Sequence, residues 1–322
     1  MGVSSRSGRR SDVVAGLACG LAAVAMWGVY LATTRAGIAS GLAPVDLVVL
    51  RYAPAALIMV PWWLSAGVRD LGGVGWARGA WLAACAGPVF IILAAGGYLF
   101  APLSHGAVIQ PSTAALASIL LAVALLGERV PASRWIGVAA ILGGIALIST
   151  GSDASFVSDR PWIGAAMFMA SGVMWGLFTV SIRRWDISGT AATGAVAIVS
   201  ALVTLPAVAL LGTFERVLAL TPPEIALQML VHGVLSGVLA IVAFGQAVRL
   251  LGAARGALFP ALVPAATLVA GIPISGEVPG PLEWTGAGLA TLGLSVAMGA
   301  FSRRARRPAQ APRPPRPSRR AA

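Results

Sequence analysis

Arg51 is the residue whose chemistry is hardest to accommodate. It stands inside an apolar run, residues 45–64, where no water solvates a guanidinium ion, and a charge so placed faces a bundle interior or a wet cavity by default. Its planar fork of donors suits a carboxylate or a phosphate. A structural use answers the same charge: pairing with helix-terminal carbonyls or with Asp46, or snorkelling outward. His105 and His232, the chain's two histidines, are the only side chains whose ordinary pKa lies near neutrality, so proton traffic on side chains would run through them. Each would serve equally well as a hydrogen-bonding link between helices. Gln110, Tyr98 and Gln246 supply neutral polar tips in or at the ends of neighbouring apolar runs.

Two aromatic pairs stand at i, i+3 spacing, Trp27 with Tyr30 and Trp175 with Phe178, so each pair shares a helix face. Aromatic walls with few polar groups describe a small-molecule pocket; packing or interfacial anchoring would place the same residues there. Other chemistries are excluded by residue type. All 23 basic residues are arginine, and a chain without lysine has no Gly-rich loop ending in Gly-Lys-Ser/Thr to hold ATP phosphates. Cys19 and Cys85 lie in apolar runs, and two cysteines with two histidines make neither a disulfide framework nor a metal centre. The few loop acids assemble no catalytic cluster, so neither an enzyme nor a cofactor site is expected.

The elements that must position these residues are membrane spans. The 322 residues are 58% hydrophobic and 11% charged, with mean hydropathy +0.86, whereas a soluble domain keeps about a quarter of its residues charged. Ten segments reach the roughly 20 apolar residues that cross a bilayer: 13–33, 45–64, 79–99, 105–126, 133–150, 162–182, 190–211, 226–248, 254–275 and 283–301. Short turns rich in Gly and Pro join them. The first run is too long for a cleaved signal peptide and reads as an uncleaved span. Arginines mark alternate loops: Arg69, Arg78, Arg129, Arg134, Arg183, Arg184, Arg249 and Arg255 on the side of both ends, and only Arg35, Arg160 and Arg216 on the other. By the positive-inside rule both termini are cytoplasmic, in a multi-pass plasma (inner) membrane protein. The tail, residues 302–322, carries eight arginines among Pro and Ala and is expected to be disordered.

The chain also repeats itself. Met26-Trp27-Gly28 returns as Met174-Trp175-Gly176 at an offset of 148, and Pro111, Glu128, Trp135, Gly137 and Gly144 return as Pro260, Glu277, Trp284, Gly286 and Gly293 at 149. Five spans per half is an odd number, so the second copy is inserted upside down, the inverted repeat of secondary transporters. This divides the chain into a cytoplasmic segment 1–12, a first five-helix repeat 13–152, a second 153–301 and the tail 302–322. Glu128 and Glu277, in turns on opposite faces, are expected to cap the helix that follows each. Small-residue pairs (Gly16 and Gly20, Gly172 and Gly176, Gly233 and Gly237) permit close helix contact, within the chain or between two copies in a homodimer.

The Trp-Gly pairs of spans one and six, Pro44 followed by Arg51, and the Gly-Glu then Trp-x-Gly signature at 127–137 and 276–286 together resemble the EamA-type branch of the drug/metabolite transporter superfamily. The resemblance covers residues 13–301 and implies an all-α membrane protein of ten helices in two inverted five-helix repeats. It further implies transport of a small polar metabolite, an amino acid or related compound, by export. The sequence departs from the pattern in having no second-half equivalent of Arg51, and Arg35 where lysine is usual. The expected substrate contacts are Trp27, Tyr30, Arg51, Tyr98, His105, Gln110, Trp175, Phe178 and His232; the expected partners are that small molecule and the lipid bilayer, not nucleic acid. The alternative is a membrane scaffold or receptor that keeps the transporter fold without transporting.

Overall fold

The computed structural model describes residues 4–127, 132–151, 158–212, 215–252 and 259–297, which form helices and turns with no strand among them. Lipid offers the backbone no partners, so each crossing segment must satisfy its N–H and C=O groups within itself, which a helix does. Seven described helices are long and apolar enough to cross a membrane: Asp12–Ala39, Pro44–Ala66, Trp76–Leu99, Leu103–Leu125, Pro161–Arg184, Gly189–Leu211 and Pro222–Leu251. Arg134–Thr150 and Pro260–Ser275 are shorter apolar helices. Residues such as Leu57 and Leu210, 74% and 87% exposed on the protein alone, present apolar side chains outward, as a surface facing lipid does.

In chain order the helices are α1 (Ser4–Ala39), α2 (Pro44–Ala66), α3 (Trp76–Ala86), α4 (Pro88–Gly96), α5 (Leu103–Leu126), α6 (Ala132–Gly151), α7 (Pro161–Arg184) and α8 (Gly189–Leu211). There follow α9 (Glu215–Leu218), α10 (Pro222–Met229), a π-helical segment Leu230–Leu239, α11 (Ala240–Leu251), α12 (Val263–Ser275) and α13 (Pro281–Ala297). Proline opens α2, α4, α7, α10 and α13, where a missing N–H costs nothing. Gly127 and Gly276, partners in the repeat, close α5 and α12 in the left-handed region at φ +66° and +73°, which a residue with a Cβ enters at a cost.

Packing follows the repeat. Helix α1 lies on α11 and α12, and α7 lies on α4 and α5; α2 faces α8, and α6 faces α13. Exchanging the halves maps each of these contacts onto another or onto itself. The α6/α13 contact is reciprocal in detail. A Cβ on Gly144 would sit 2.6 Å from the Gly286 carbonyl oxygen, and one on Gly286 would sit 2.7 Å from that of Gly144. Gly137 and Gly293 face each other in the same way at 2.6 and 2.7 Å. Numbers rise along one helix as they fall along the other, so the seam is antiparallel, and the backbones touch because nothing stands between them. Gly28 against Ala266 and Gly176 against Ala117 form a second matched pair, since 117 and 266 are 149 apart.

Several expectations need correction. The first span does not end at residue 33 but runs to Ala39, so Arg35 lies within a helix, 8% exposed, rather than in an outer loop. No proline interrupts the run before Pro44, which lets the helix continue. Arg51 is therefore not the lone charge of the helices. Span three is interrupted at Gly87 and Pro88, and span eight is wound as a π-helix through its centre. Asp46 is a buried carboxylate, 2% exposed, but in the first turn of α2, where it accepts from the Ala43 N–H at 2.7 Å and from Arg216 Nε at 3.0 Å. It is thus not available to Arg51. Glu277 does not cap α13. One of its oxygens accepts from Arg35 Nε, and the other accepts from the Leu103 N–H at 2.7 Å, so it serves the start of α5 instead. The start of α13 is served by Glu283, which accepts from the Gly280 N–H at 2.7 Å. The small-residue pairs are taken up within the chain: Gly16 against Leu251, Gly20 against Phe259, Gly172 against Gln110, Gly176 against Ala117 and Gly233 against Pro54. Glu128 and the tail 302–322 lie outside the described residues.

Candidate functional site

The π-helical segment sets the site. A π-turn widens the helix and re-aims its side chains, and such segments are frequent at functional sites. Here it carries His232 and Ser236 toward α2, which approaches closely because Gly233 admits Pro54; a Cβ on Gly233 would also stand 2.9 Å from the Arg51 carbonyl oxygen. Half-buried Arg51 uses one nitrogen, Nη1, to donate to the His232 carbonyl and to Ser236 Oγ, both at 3.2 Å. Its guanidinium carbon lies over the Tyr30 ring at 5.1 Å and near that of Tyr52 at 5.9 Å, within range of cation–π attraction. No carboxylate pairs with Arg51 among the described residues.

His232 is 1% exposed and fixed at both ring nitrogens. Nδ1 lies 3.1 Å from the Gln228 carbonyl oxygen, Nε2 lies 3.1 Å from Thr34 Oγ1, and the ring meets Tyr30 edge-on at 5.2 Å. Thr34 Oγ1 in turn lies 2.7 Å from the Tyr30 carbonyl oxygen. Helices α1 and α2 and the π segment thus converge on one cluster: Tyr30, Thr34, Arg51, Tyr52, His232 and Ser236.

The other expected residues lie elsewhere. Trp27 packs on Phe244 with ring centroids 5.7 Å apart, while Trp175 packs on Phe90 at 5.4 Å and on Phe178 at 5.1 Å. Among the described residues no ring contact joins one pair to the other, so the four aromatics form two walls instead of a single box. Tyr98 is 1% exposed, edge-on to Phe168 at 4.9 Å. A Cβ on Gly106 would meet its hydroxyl, which is how α5 comes close. His105, 3% exposed near the start of α5, has Glu283 within electrostatic reach and does not belong to the Arg51 cluster. Gln110 is half-buried on α5, where its carbonyl faces Gly172 of α7. Below Arg51, about 12 Å along α2 by helical rise, a cleft of about 250 Å³ opens between α2, α8 and α11, lined by Met59, Thr190, Thr193, Val238, Ile241 and Gln246 among others.

Thr34, Tyr52 and Ser236 escaped the sequence reading because small hydroxyls are common in helices and only a third helix gives them a role. The Arg35–Glu277 pair escaped too, although a signal existed. Arg183 stands 148 residues after Arg35, the offset that relates Trp27 to Trp175. In the structure the pair ties the end of α1 to the turn after α12, and Arg35 Nη1 also donates to the Tyr98 carbonyl at 3.4 Å. Among the described residues no group of three or more His, Cys, Asp or Glu side chains is placed to hold a metal.

A search of the curated proteins finds no match. Among solved structures, one described only as "Crystal structure of protein" is similar over 89% of this chain and 97% of its own, with 19% identity and a TM-score of 0.56, a likeness of fold alone. The EamA-like transporter family matches residues 14–150 and again residues 162–299, so that each half of the helical array is one copy of its repeat. The chain is a multi-pass membrane protein and belongs to the EamA-like transporter family.

Proposed function

We propose that this protein is a secondary transporter that exports a small polar metabolite, an amino acid or related compound, by alternating access between two inverted five-helix halves of a ten-helix array. It resides in the plasma membrane with both termini in the cytoplasm, and it carries out no reaction on its cargo. The observation that carries the reading is Arg51: a cation inside a helix, bonded through Nη1 to the π segment of the other half, with no carboxylate paired to it among the described residues. A half-buried charge kept without a counter-ion is costly, and a cargo that brings the complementary group recovers that cost. The reciprocal glycine seams support alternating access, because equivalent contacts in both halves let the two exchange roles at similar energy. The cleft below Arg51 offers a path from one face, and its volume, about 250 Å³, is near the lower end of small-molecule sites.

The test compares metabolites in the medium of cells lacking the protein, cells overproducing it, and cells overproducing Arg51→Gln at equal membrane levels. A small set of polar compounds should accumulate outside only with the wild type. Identical media from wild-type and Arg51→Gln cells would remove the transport role assigned to this site.

A further inference from the structure

Around His232 the hydrogen atoms do not suffice for a neutral ring. The Gln228 carbonyl only accepts, so the proton of that contact sits on Nδ1. A neutral imidazole then has a bare Nε2 that needs a donor, and the neighbour is the Thr34 hydroxyl. That hydroxyl has one proton, and its 2.7 Å contact with the Tyr30 carbonyl also requires it. With His232 neutral, one of the two Thr34 contacts is lost. With His232 protonated at both nitrogens all three are made: Nδ1–H to Gln228, Nε2–H to Thr34, and Thr34 O–H to Tyr30. Opposing this second proton are, first, the burial of a ring that is 1% exposed and, second, Arg51, whose guanidinium lies against the same Tyr30 ring and bonds the His232 carbonyl.

We propose that an anionic group on Arg51 and a proton on His232 bind together, so that the site carries a carboxylate- or phosphate-bearing solute with one proton. This rests on the transporter reading above and supplies its coupling. An anion on the Arg51 guanidinium offsets the repulsion that opposes the imidazolium, and the imidazolium in turn strengthens the hold on the anion; the linkage is reciprocal by thermodynamic necessity. Among the described residues no other ionisable group intervenes. From α1 the facing groups are Tyr30 and, one residue beyond Thr34, Arg35, which is tied to Glu277. From α2 they are Arg51 and Tyr52, with Asp46 tied to Arg216. On α10 Glu224 accepts from Thr221, and on α11 Arg249 donates to Gln246. The proton comes from water on the side to which the site is open and returns to water on the other. Anion and proton therefore move in the same direction, down the sum of their two gradients, and outward when the solute's outward gradient exceeds the inward gradient of protons.

The test uses the full chain in lipid nanodiscs with ¹⁵N-labelled histidine, in a His105→Gln background so that His232 gives the only ring signals. The pH at which both ring nitrogens become protonated is read alone and with acetate, pyruvate or inorganic phosphate. At least one of these anions should raise that midpoint by about one pH unit, the scale on which a neighbouring charge acts. Arg51→Gln should raise it without any anion and abolish the response; Arg51→Lys, which keeps the charge, should retain the wild-type midpoint. Should Arg51→Gln fail to fold, Thr34→Val takes its place, and by removing the Nε2 acceptor it should lower the midpoint. A midpoint indifferent to all three anions, or unmoved in both Arg51→Gln and Thr34→Val, overturns the linkage. Export that still depends on Arg51 would in that event leave the transporter reading standing.

Discussion

Arg51 has a counterpart, and the two places differ instructively. At the repeat offset of 149 Arg51 corresponds to Ser200, His232 to Ala83 and Ser236 to Gly87; at 148 Tyr30 corresponds to Phe178 and Thr34 to Ile182. The backbone contact is kept. Arg51 reaches Ser236 on the π segment, and a Cβ on Gly87, at the break between α3 and α4, would stand 2.7 Å from Ser200 Oγ. Where Arg51 of the first half meets the π segment of the second the place is charged and polar, and where Ser200 of the second half meets the α3/α4 break of the first it is apolar except for a buried hydroxyl. The helix backbone is irregular at both, a π-turn in one and a Gly-Pro break in the other. The scaffold is thus shared between the halves, because both must pack through the same glycine seams. The chemistry is confined to one of the two places, because a second cation without a carboxylate partner would cost desolvation without adding a second cargo.

The strongest way to break this comparison is through what the halves share. Gly144→Ala or Gly286→Ala places a methyl against a backbone carbonyl that cannot yield, and each should destabilise by about 1–3 kcal/mol; Gly288→Ala, which meets nothing within 4 Å, should be neutral or stabilising by up to about 1 kcal/mol. Thermal unfolding in detergent ranks the three. Equal stability for Gly144→Ala and Gly288→Ala would refute the seam.

The next test addresses what they do not share. Arg51→Gln should reduce export about tenfold or more, equivalent to one charge-assisted contact of about 1.5–3 kcal/mol, while Ser200→Ala should leave it unchanged. Equal losses would mean that Arg51 holds the fold and not the cargo.

A smaller effect is expected where α1 meets the turn after α12. Glu277→Gln removes the partner of Arg35 and weakens the acceptor for the Leu103 N–H. Since the glutamate is 23% exposed, the loss should be about 1–3 kcal/mol, below the full cost of breaking a buried pair. It should appear as a lower midpoint of thermal unfolding, partly restored in the double variant Arg35→Gln/Glu277→Gln. No gain from the second substitution would show that the two side chains act independently.

The smallest perturbation asks only where the halves lie. Single cysteines at residue 277 and at residue 128, in a background lacking Cys19 and Cys85, should react from opposite sides of the membrane in intact cells. Labelling of both from outside would remove the inverted relationship.

The one-dimensional pattern determined what depends on the solvent and on period. Long apolar runs must become helices in lipid, and a self-match at 148 and 149 residues must produce two alike halves, because the same side chains face the same packing problem twice. The cost of a charge in hydrocarbon singled out Arg51 before any neighbour was known. What the sequence could not fix was which helices meet. Hydropathy reports exposure averaged around a helix, whereas a hydrogen bond depends on rotation and on local winding. The π segment shifts His232 and Ser236 onto α2 without a mark in the composition, and the continuation of α1 past residue 33 turns Arg35 from a loop residue into a buried partner of Glu277. Thr34, an ordinary helical hydroxyl in the sequence, becomes the hydrogen-bond partner of a histidine 198 residues away, because only the packed bundle brings α1 and the π segment to a common wall.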